Sequence, residues 1–332
     1  MKVCVFGAGA IGGHLASRLA RGGAAVSVVA RGAQLDAIRA RGLTVRAPDG
    51  EHRSRPRATE DPRDLGPQDA VVVAVKGPAL PSVAAGIGPL LRDDNTPVAF
   101  AMNGVPWWYF DRHGGPLEGH PLPALDPGGA LRAAVGVART LGGVVYSACE
   151  VVEPGVVHVE HANNRLLLGE PDGTHPSPRA EALAALLRAG GMAAPVVPDI
   201  RREVWAKLLA NLANGPICVL TGAGAADTYA DPALRAAAER VVAEGAAVAR
   251  ALGQLVEVDP AARVAGMAAL RHKPSILQDF ERGRPMEVEA LWRAPLALPR
   301  LAGVETPTLD LTVALATRRA REAGLYAPPP AA

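Results

Sequence analysis

The opening thirteen residues constrain this chain more than any others. Met1-Lys2-Val3-Cys4-Val5-Phe6 is an apolar run of strand length that enters Gly7-Ala8-Gly9-Ala10-Ile11-Gly12-Gly13, and a helix-compatible stretch runs from Ile11 to Arg21. Three glycines serve three needs: Gly7 permits a tight turn, Gly9 lets the backbone approach a pyrophosphate, and Gly12 lets the helix pack closely on the strand. Phosphate would then face a helix N-terminus, where unpaired N–H groups and the helix dipole favour negative charge. A G-x-G-x-x-G alone is weak. Placed between a strand and a helix, it points to a dinucleotide-binding loop made of Gly7, Ala8, Gly9, Ala10, Ile11 and Gly12, against the plainer reading of a structural glycine turn.

The end of the second strand, Ala25-Val26-Ser27-Val28-Val29-Ala30, bears on which dinucleotide. An NAD enzyme usually carries Asp or Glu about 20 residues past the glycines, to hold the ribose 2′-OH. This chain has Arg31-Gly32. A guanidinium can grip a 2′-phosphate through two charge-assisted hydrogen bonds. At roughly 1.5–3 kcal/mol, such bonds predict a preference for NADPH of about ten- to a hundredfold. The alternative is a surface arginine in an arginine-rich chain.

At 332 residues the length suggests two domains. Apolar residues make up 49% and aromatics only 4%, so the core must be Ala, Val and Leu. Lys plus Arg number 35 and Asp plus Glu 33, a net charge of +2 with no basic stripe, which argues against nucleic acid as the main partner. Cys4, Cys149 and Cys218 are far apart and odd in number; they read as buried thiols of a cytoplasmic protein, and no histidine spacing suggests a metal. The apolar N-terminus is broken by glycine too soon for a signal peptide, and no run of about 20 apolar residues is present to span a membrane.

From residue 1 to 198 the pattern alternates strand and helix, predicting an α/β, Rossmann-type dinucleotide-binding domain. Its expected parts include a small excursion at 43–58, a buried run Ala70-Val71-Val72-Val73-Ala74-Val75, a helix at 79–91 and a strand from Pro97 to Met102. Strands from Gly143 to Val152 and Val156 to Val159 should flank the turn Glu153-Pro154-Gly155. A helix at 178–190 and a last strand at Ala194-Pro195-Val196-Val197 would follow. At Pro198-Asp199 the texture changes. Helices are expected at 200–214, 231–252, 260–270, 275–282, 286–301 and 306–323, giving an all-α C-terminal domain over 199–327 and a disordered tail over 328–332. Such a pair of domains would place a site in the cleft between them, beyond the carboxyl ends of the strands.

Only four of the basic residues are lysines: Lys2, Lys76, Lys207 and Lys273. Arginine cannot release a proton near neutral pH, whereas a partly buried lysine can, as a general acid requires. Lys207 falls on the first helix after the α/β domain, with Asn211 one turn on and Asn214 returning to nearly the same azimuth. That face offers an ammonium and two amides, a set that can hold and protonate a carbonyl oxygen, or else a solvated lysine near a helix end. Lys76 and Asn103-Gly104 follow strand ends; Lys76 could meet phosphate or ribose and Asn103 ribose or substrate, or both could be loop residues. Ser275 either caps a short helix or binds a carboxylate, and Glu287 cannot be told from an ordinary helix-start acid. Trp107-Trp108-Tyr109 reads as core or interface packing, or as a pocket wall.

Together these motifs resemble the ketopantoate reductase (2-dehydropantoate 2-reductase) family along nearly the whole chain: the loop Gly7 to Gly12, Arg31, Lys76, Asn103-Gly104, the Pro154-Gly155 turn with His158, Lys207 with Asn211, and Ser275-Ile276-Leu277-Gln278-Asp279 through Glu287. The resemblance implies NADPH-dependent reduction of a 2-keto acid to an (R)-2-hydroxy acid, with 2-dehydropantoate as the expected substrate. It implies Lys207 as proton donor, Asn103, Asn211 and Ser275 as substrate ligands, Ala148 lining the cofactor site, and Glu287 touching the cofactor and helping to place Lys207. Asn214 joins the substrate ligands from its place on the helix. The chain departs from the family pattern twice, with Gly215 where an asparagine is usual and Trp292-Arg293 where Asn-Gly is common. Both fall where substrate is expected. Other readings are a different NAD(P)-dependent 2- or 3-hydroxyacid dehydrogenase, or a non-catalytic NADP sensor; a homodimer through the helical domain is also expected.

Overall fold

A computed structural model describes residues 1–269 and 273–328. The expected tail lies outside the described residues from position 329 on, as does the last residue of the helix expected over 260–270. The chain forms two compact units: Met1–Met102 with Pro106–Ile200, and Asn103–Val105 with the chain from Arg201 onward.

The first unit carries eleven strands among the described residues: β1 Lys2–Phe6, β2 Ala25–Val29, β3 Leu43–Ala47, β4 Gly50–Ser54, β5 Arg57–Thr59, β6 Ala70–Val73, β7 Val98–Ala101, β8 Thr140–Tyr146, β9 Cys149–Glu153, β10 Val156–Val159 and β11 Arg165–Gly169. Its helices are α1 Ala10–Arg21, α2 Gly32–Arg41, α3 Leu80–Gly86, α4 Ala130–Ala134 and α5 Pro178–Ala189. Seven strands form one sheet in the order β11-β8-β7-β6-β1-β2-β5, parallel except for β11 against β8. All four residues of β6 are buried, which is why this strand reads as unbroken valine rather than as an alternation. Strand order reverses at β1, the kind of switch point where open α/β sheets take ligands. Phe6 pairs with Val29 and with Val73, and Val73 pairs with Phe100. The glycine loop, Arg31 and Lys76 therefore leave the sheet from one edge.

Two expectations are corrected here. Residues 143–152 are not one strand: the chain turns at Ser147-Ala148, leaving β8 in the large sheet and sending β9 into a second sheet of order β4-β3-β10-β9. The excursion at 43–58 supplies β3 and β4 to that sheet. The expected last strand at 194–197 is reduced to isolated bridges, Arg165 with Ala193 and Leu168 with Val196. Pro195 is the reason, since it has no N–H to give the ladder between them. The edge strand proper is β11, which the sequence reading passed over.

The second unit is helical: α6 Ile200–Thr221, α7 Ala225–Thr228, α8 Pro232–Ala251, α9 Pro260–Ala268, α10 Ser275–Glu281, α11 Ala294–Ala302 and α12 Pro307–Glu322, with a wider π turn at Glu289–Arg293 leading into α11. Helix α6 runs past the expected end at 214, through Gly215 and Pro216. A proline inside a helix costs about 3 kcal/mol. Ile217, Cys218 and Val219 in the extra turn are all buried, and at roughly 1.5–3 kcal/mol per large apolar side chain their burial offsets that cost.

Candidate active site

The loop after β1 is a backbone cradle. Gly7 sits at φ +102°, where a Cβ would come 2.7 Å from Val75 Cγ1. A Cβ on Gly12 would lie 1.7 Å from the Gly7 carbonyl oxygen, so the first turn of α1 can press onto the strand only with glycine there. Gly9 caps α1 without a side-chain hydrogen bond, and a Cβ on it would meet nothing within 4 Å. The first-turn N–H groups at Ala10, Ile11 and Gly12 have no partner within the helix. Open space beside Gly9 and unspent donors fit a pyrophosphate.

The loop is braced by a residue that sequence reasoning missed. Gln34 Nε2 donates to the Ala8 carbonyl at 2.7 Å, and Gln34 Oε1 accepts from Gly155 N–H at 2.9 Å, tying the cradle to the β9–β10 turn. Arg31 caps α2 in extended conformation with its side chain exposed, and Lys76 is exposed after β6. Ala148 is half-buried between β8 and β9.

A polar chain, buried at Arg18, His14 and Asn164, holds α1 in place. Arg18 grips Asp49 through both terminal nitrogens at 2.6 and 2.8 Å, and donates through Nε to His14 Nε2 at 3.0 Å. With Nε2 accepting, the proton of neutral His14 resides on Nδ1 and is donated to Ser147 Oγ at 2.9 Å; Ser147 donates in turn to Asn164 Oδ1 at 2.9 Å. Burial, then the nearby Arg18 charge, pushes the His14 pKa down to about 4. Arg18 holds the Asp49 carboxyl well below the usual range. Ser147 therefore is not an activated nucleophile; it fixes the turn that carries Ala148. The only signal for this network in sequence was a histidine inside the first helix.

In the second unit, Lys207 Nζ donates to Asn103 Oδ1 at 2.6 Å. Both side chains are half-buried, as is Asn211 one turn along α6. The Asn214 Oδ1 accepts from the fully buried Tyr229 hydroxyl at 2.7 Å, which fixes the orientation of its amide. Ser275 is the first residue of α10 and is exposed; Pro274 occupies the cap position, so the capping alternative for Ser275 is not realised. Glu287 is half-buried, and its carbonyl accepts Leu291 N–H at 3.1 Å where the helical segment begins.

The two departures from the family pattern meet in space. A Cβ at Gly215 would stand 2.7 Å from Trp292 Nε1; the indole is fully buried and its N–H has no acceptor among the described residues. Trp107, Trp108 and Tyr109 are core of the first unit, with Trp107 edge-on to Phe100 at 5.7 Å. The three cysteines are free thiols, and burial raises their pKa values to about 12 for Cys4 and about 11 for Cys149 and Cys218. Among the described residues no group of three or more His, Cys, Asp or Glu is placed to hold a metal ion, and no helix is long and apolar enough to cross a membrane.

Comparison with known proteins agrees with this geometry. Residues 3–107 match the family model for ketopantoate reductase PanE/ApbA, and residues 199–320 match that for the ketopantoate reductase PanE/ApbA C terminal. A 2-dehydropantoate 2-reductase of Mesorhizobium japonicum is 46% identical over 330 residues, 98% of this chain and 100% of the relative. The solved structure of a Ralstonia solanacearum protein assigned to the ketopantoate reductases is 42% identical with TM-score 0.91, covering 98% of this chain and 99% of that one. That of a Geobacter metallireducens 2-dehydropantoate 2-reductase is 27% identical with TM-score 0.83, covering 96% and 100%. A Rossmann-type unit, a helical unit with a lysine–asparagine pair, and matches spanning both make this chain a member of the ketopantoate reductase family, oxidoreductases that work with a nicotinamide dinucleotide.

Proposed function

We propose that this protein reduces 2-dehydropantoate to (R)-pantoate with NADPH, in the cytoplasmic synthesis of pantothenate and coenzyme A. The observation that carries the reading is the Lys207 ammonium held at 2.6 Å by Asn103, a residue 104 positions away. Bound NADPH supplies a hydride to the ketone carbon. Lys207 Nζ gives the ketone oxygen its proton and is reprotonated from solvent, so the product gains one hydride and one proton. Asn103 aims the ammonium, and Asn211 and Ser275 orient the keto acid. Glu287 borders the cofactor and helps to place Lys207. The Gly7 to Gly12 backbone holds the pyrophosphate, Arg31 and Lys76 hold the 2′-phosphate and ribose, and Ala148 lines the site. Asn214, its amide oriented by the Tyr229 hydroxyl, also serves the substrate. The protein associates as a homodimer through the helical unit, where Leu311 and Leu315 are exposed one turn apart on α12; sizing in solution tests this.

The test is the loss of NADPH absorbance on adding 2-dehydropantoate. Turnover is expected, and Lys207→Ala should lower kcat by roughly 10²–10⁴-fold, the usual worth of a general acid, while NADPH affinity is retained. A folded protein that binds NADPH without turnover would exclude this substrate. The indole over Gly215 favours, as second reading, a different 2-keto acid on the same machinery.

A further inference from the structure

The Lys207–Asn103 pair rests on a short clamp. Val105 N–H donates to the Ala290 carbonyl at 3.1 Å. That carbonyl is free for Val105 because of the π turn: Ala294 N–H goes back five residues to Glu289, and Pro295, which would follow on in the same pattern and bond Ala290, has no N–H. Between Asn103 and Val105 stands Gly104 at φ +84°. A Cβ there would come 2.1 Å from the Ala290 oxygen and 2.5 Å from its carbonyl carbon, both backbone atoms that cannot swing aside. Glycine is thus required twice, by conformation and by contact.

We propose that Gly104, the Ala290 carbonyl and Pro295 are positioning elements for the proton donor: the π turn presents a spare carbonyl that locks Val105, and so sets Asn103 Oδ1 to hold the Lys207 ammonium. This rests on the reading of Lys207 as the acid. The device acts entirely through Asn103, which separates it from a merely structural role.

The test uses the reactivity of Lys207 toward acetic anhydride, read by mass spectrometry against Lys2, Lys76 and Lys273 as internal references, together with steady-state kinetics. Gly104→Ala is expected to raise Lys207 acetylation severalfold and to lower kcat about tenfold or more, with KM for NADPH within about twofold. In an Asn103→Ala background the same substitution should add almost nothing, because the two act as one unit. Wild-type labelling and kcat in Gly104→Ala, or fully additive effects in the double variant, would overturn the proposal. Where Gly104→Ala does not fold, Pro295→Ala serves: it adds no clash but gives Ala290 a competing N–H. It is expected to raise Lys207 labelling about twofold, and unchanged labelling overturns the proposal. Labelling needs no turnover, so a wrong substrate and a wrong clamp give different results.

Discussion

The glycine loop after β1 and the Lys207–Asn103 pair divide the work between backbone and side chain in opposite ways. In the first, six consecutive residues form the cradle, and their contribution is mostly the absence of side chains: open space at Gly9, contact at Gly12, a positive φ at Gly7. In the second, two side chains 104 residues apart meet through a hydrogen bond, and a third segment, the π turn, bonds the backbone two residues past Asn103. A backbone site tolerates almost any chemistry around it but no added carbon. A side-chain site depends on the bond between its partners and on the turn beside it, where a Cβ at Gly104 would strike the Ala290 carbonyl. The contrast can be broken experimentally.

The largest effect is expected from Gly12→Ala. Its Cβ would have to displace the Gly7 carbonyl, and overpacking of this kind costs on the order of 1–3 kcal/mol or more, read as a lowered Tm together with lost NADPH binding. Gly9→Ala sharpens the point, because nothing stands near its Cβ. It should melt as the wild type does, yet bind the dinucleotide at least about tenfold more weakly, roughly 1.4 kcal/mol. Equal melting losses in both would contradict the division of roles within the loop. Next comes Arg31→Ala, for which KM for NADPH should rise about ten- to a hundredfold while that for NADH stays put. An equal change for both cofactors would make Arg31 an ordinary surface residue.

A smaller effect concerns the polar chain under α1. His14 in the folded protein has its pKa lowered to about 4 against an ordinary 6.5. The unfolded chain therefore takes up a proton there first as pH falls. The stabilising contribution is whole above about 6.5 and is lost progressively toward 4, on the order of 2 kcal/mol between pH 7 and pH 5. Denaturant melts at both pH values should show His14→Gln losing less stability on acidification than the wild type. An identical loss would mean that His14 is not the group that titrates.

The same contrast explains what could be read from the residues. The cradle was legible because strand, turn and helix are contiguous and each glycine has a local reason. Lys207 was singled out by the scarcity of lysine, and Asn211 by helical spacing. Helical spacing also picked out Asn214, but it could not foresee that Tyr229, fifteen residues on, donates to the side chain's oxygen. Gln34, the His14 chain and the Ala290 carbonyl were out of reach: each depends on which strands pair or which carbonyl a turn leaves unused. Strand β11 was missed for a related reason. Its leucines gain their identity as a strand from β8, across a long connection.

The Gly215–Trp292 contact carries a consequence for the history of this chain. Any side chain introduced at 215 while Trp292 is in place strikes the indole ring, and removing the indole first leaves a cavity that costs roughly 3–5 kcal/mol. Both single steps descend into a valley, whichever comes first. The two positions are therefore expected to change together, and a library that randomises either site alone should recover the parent sequence there.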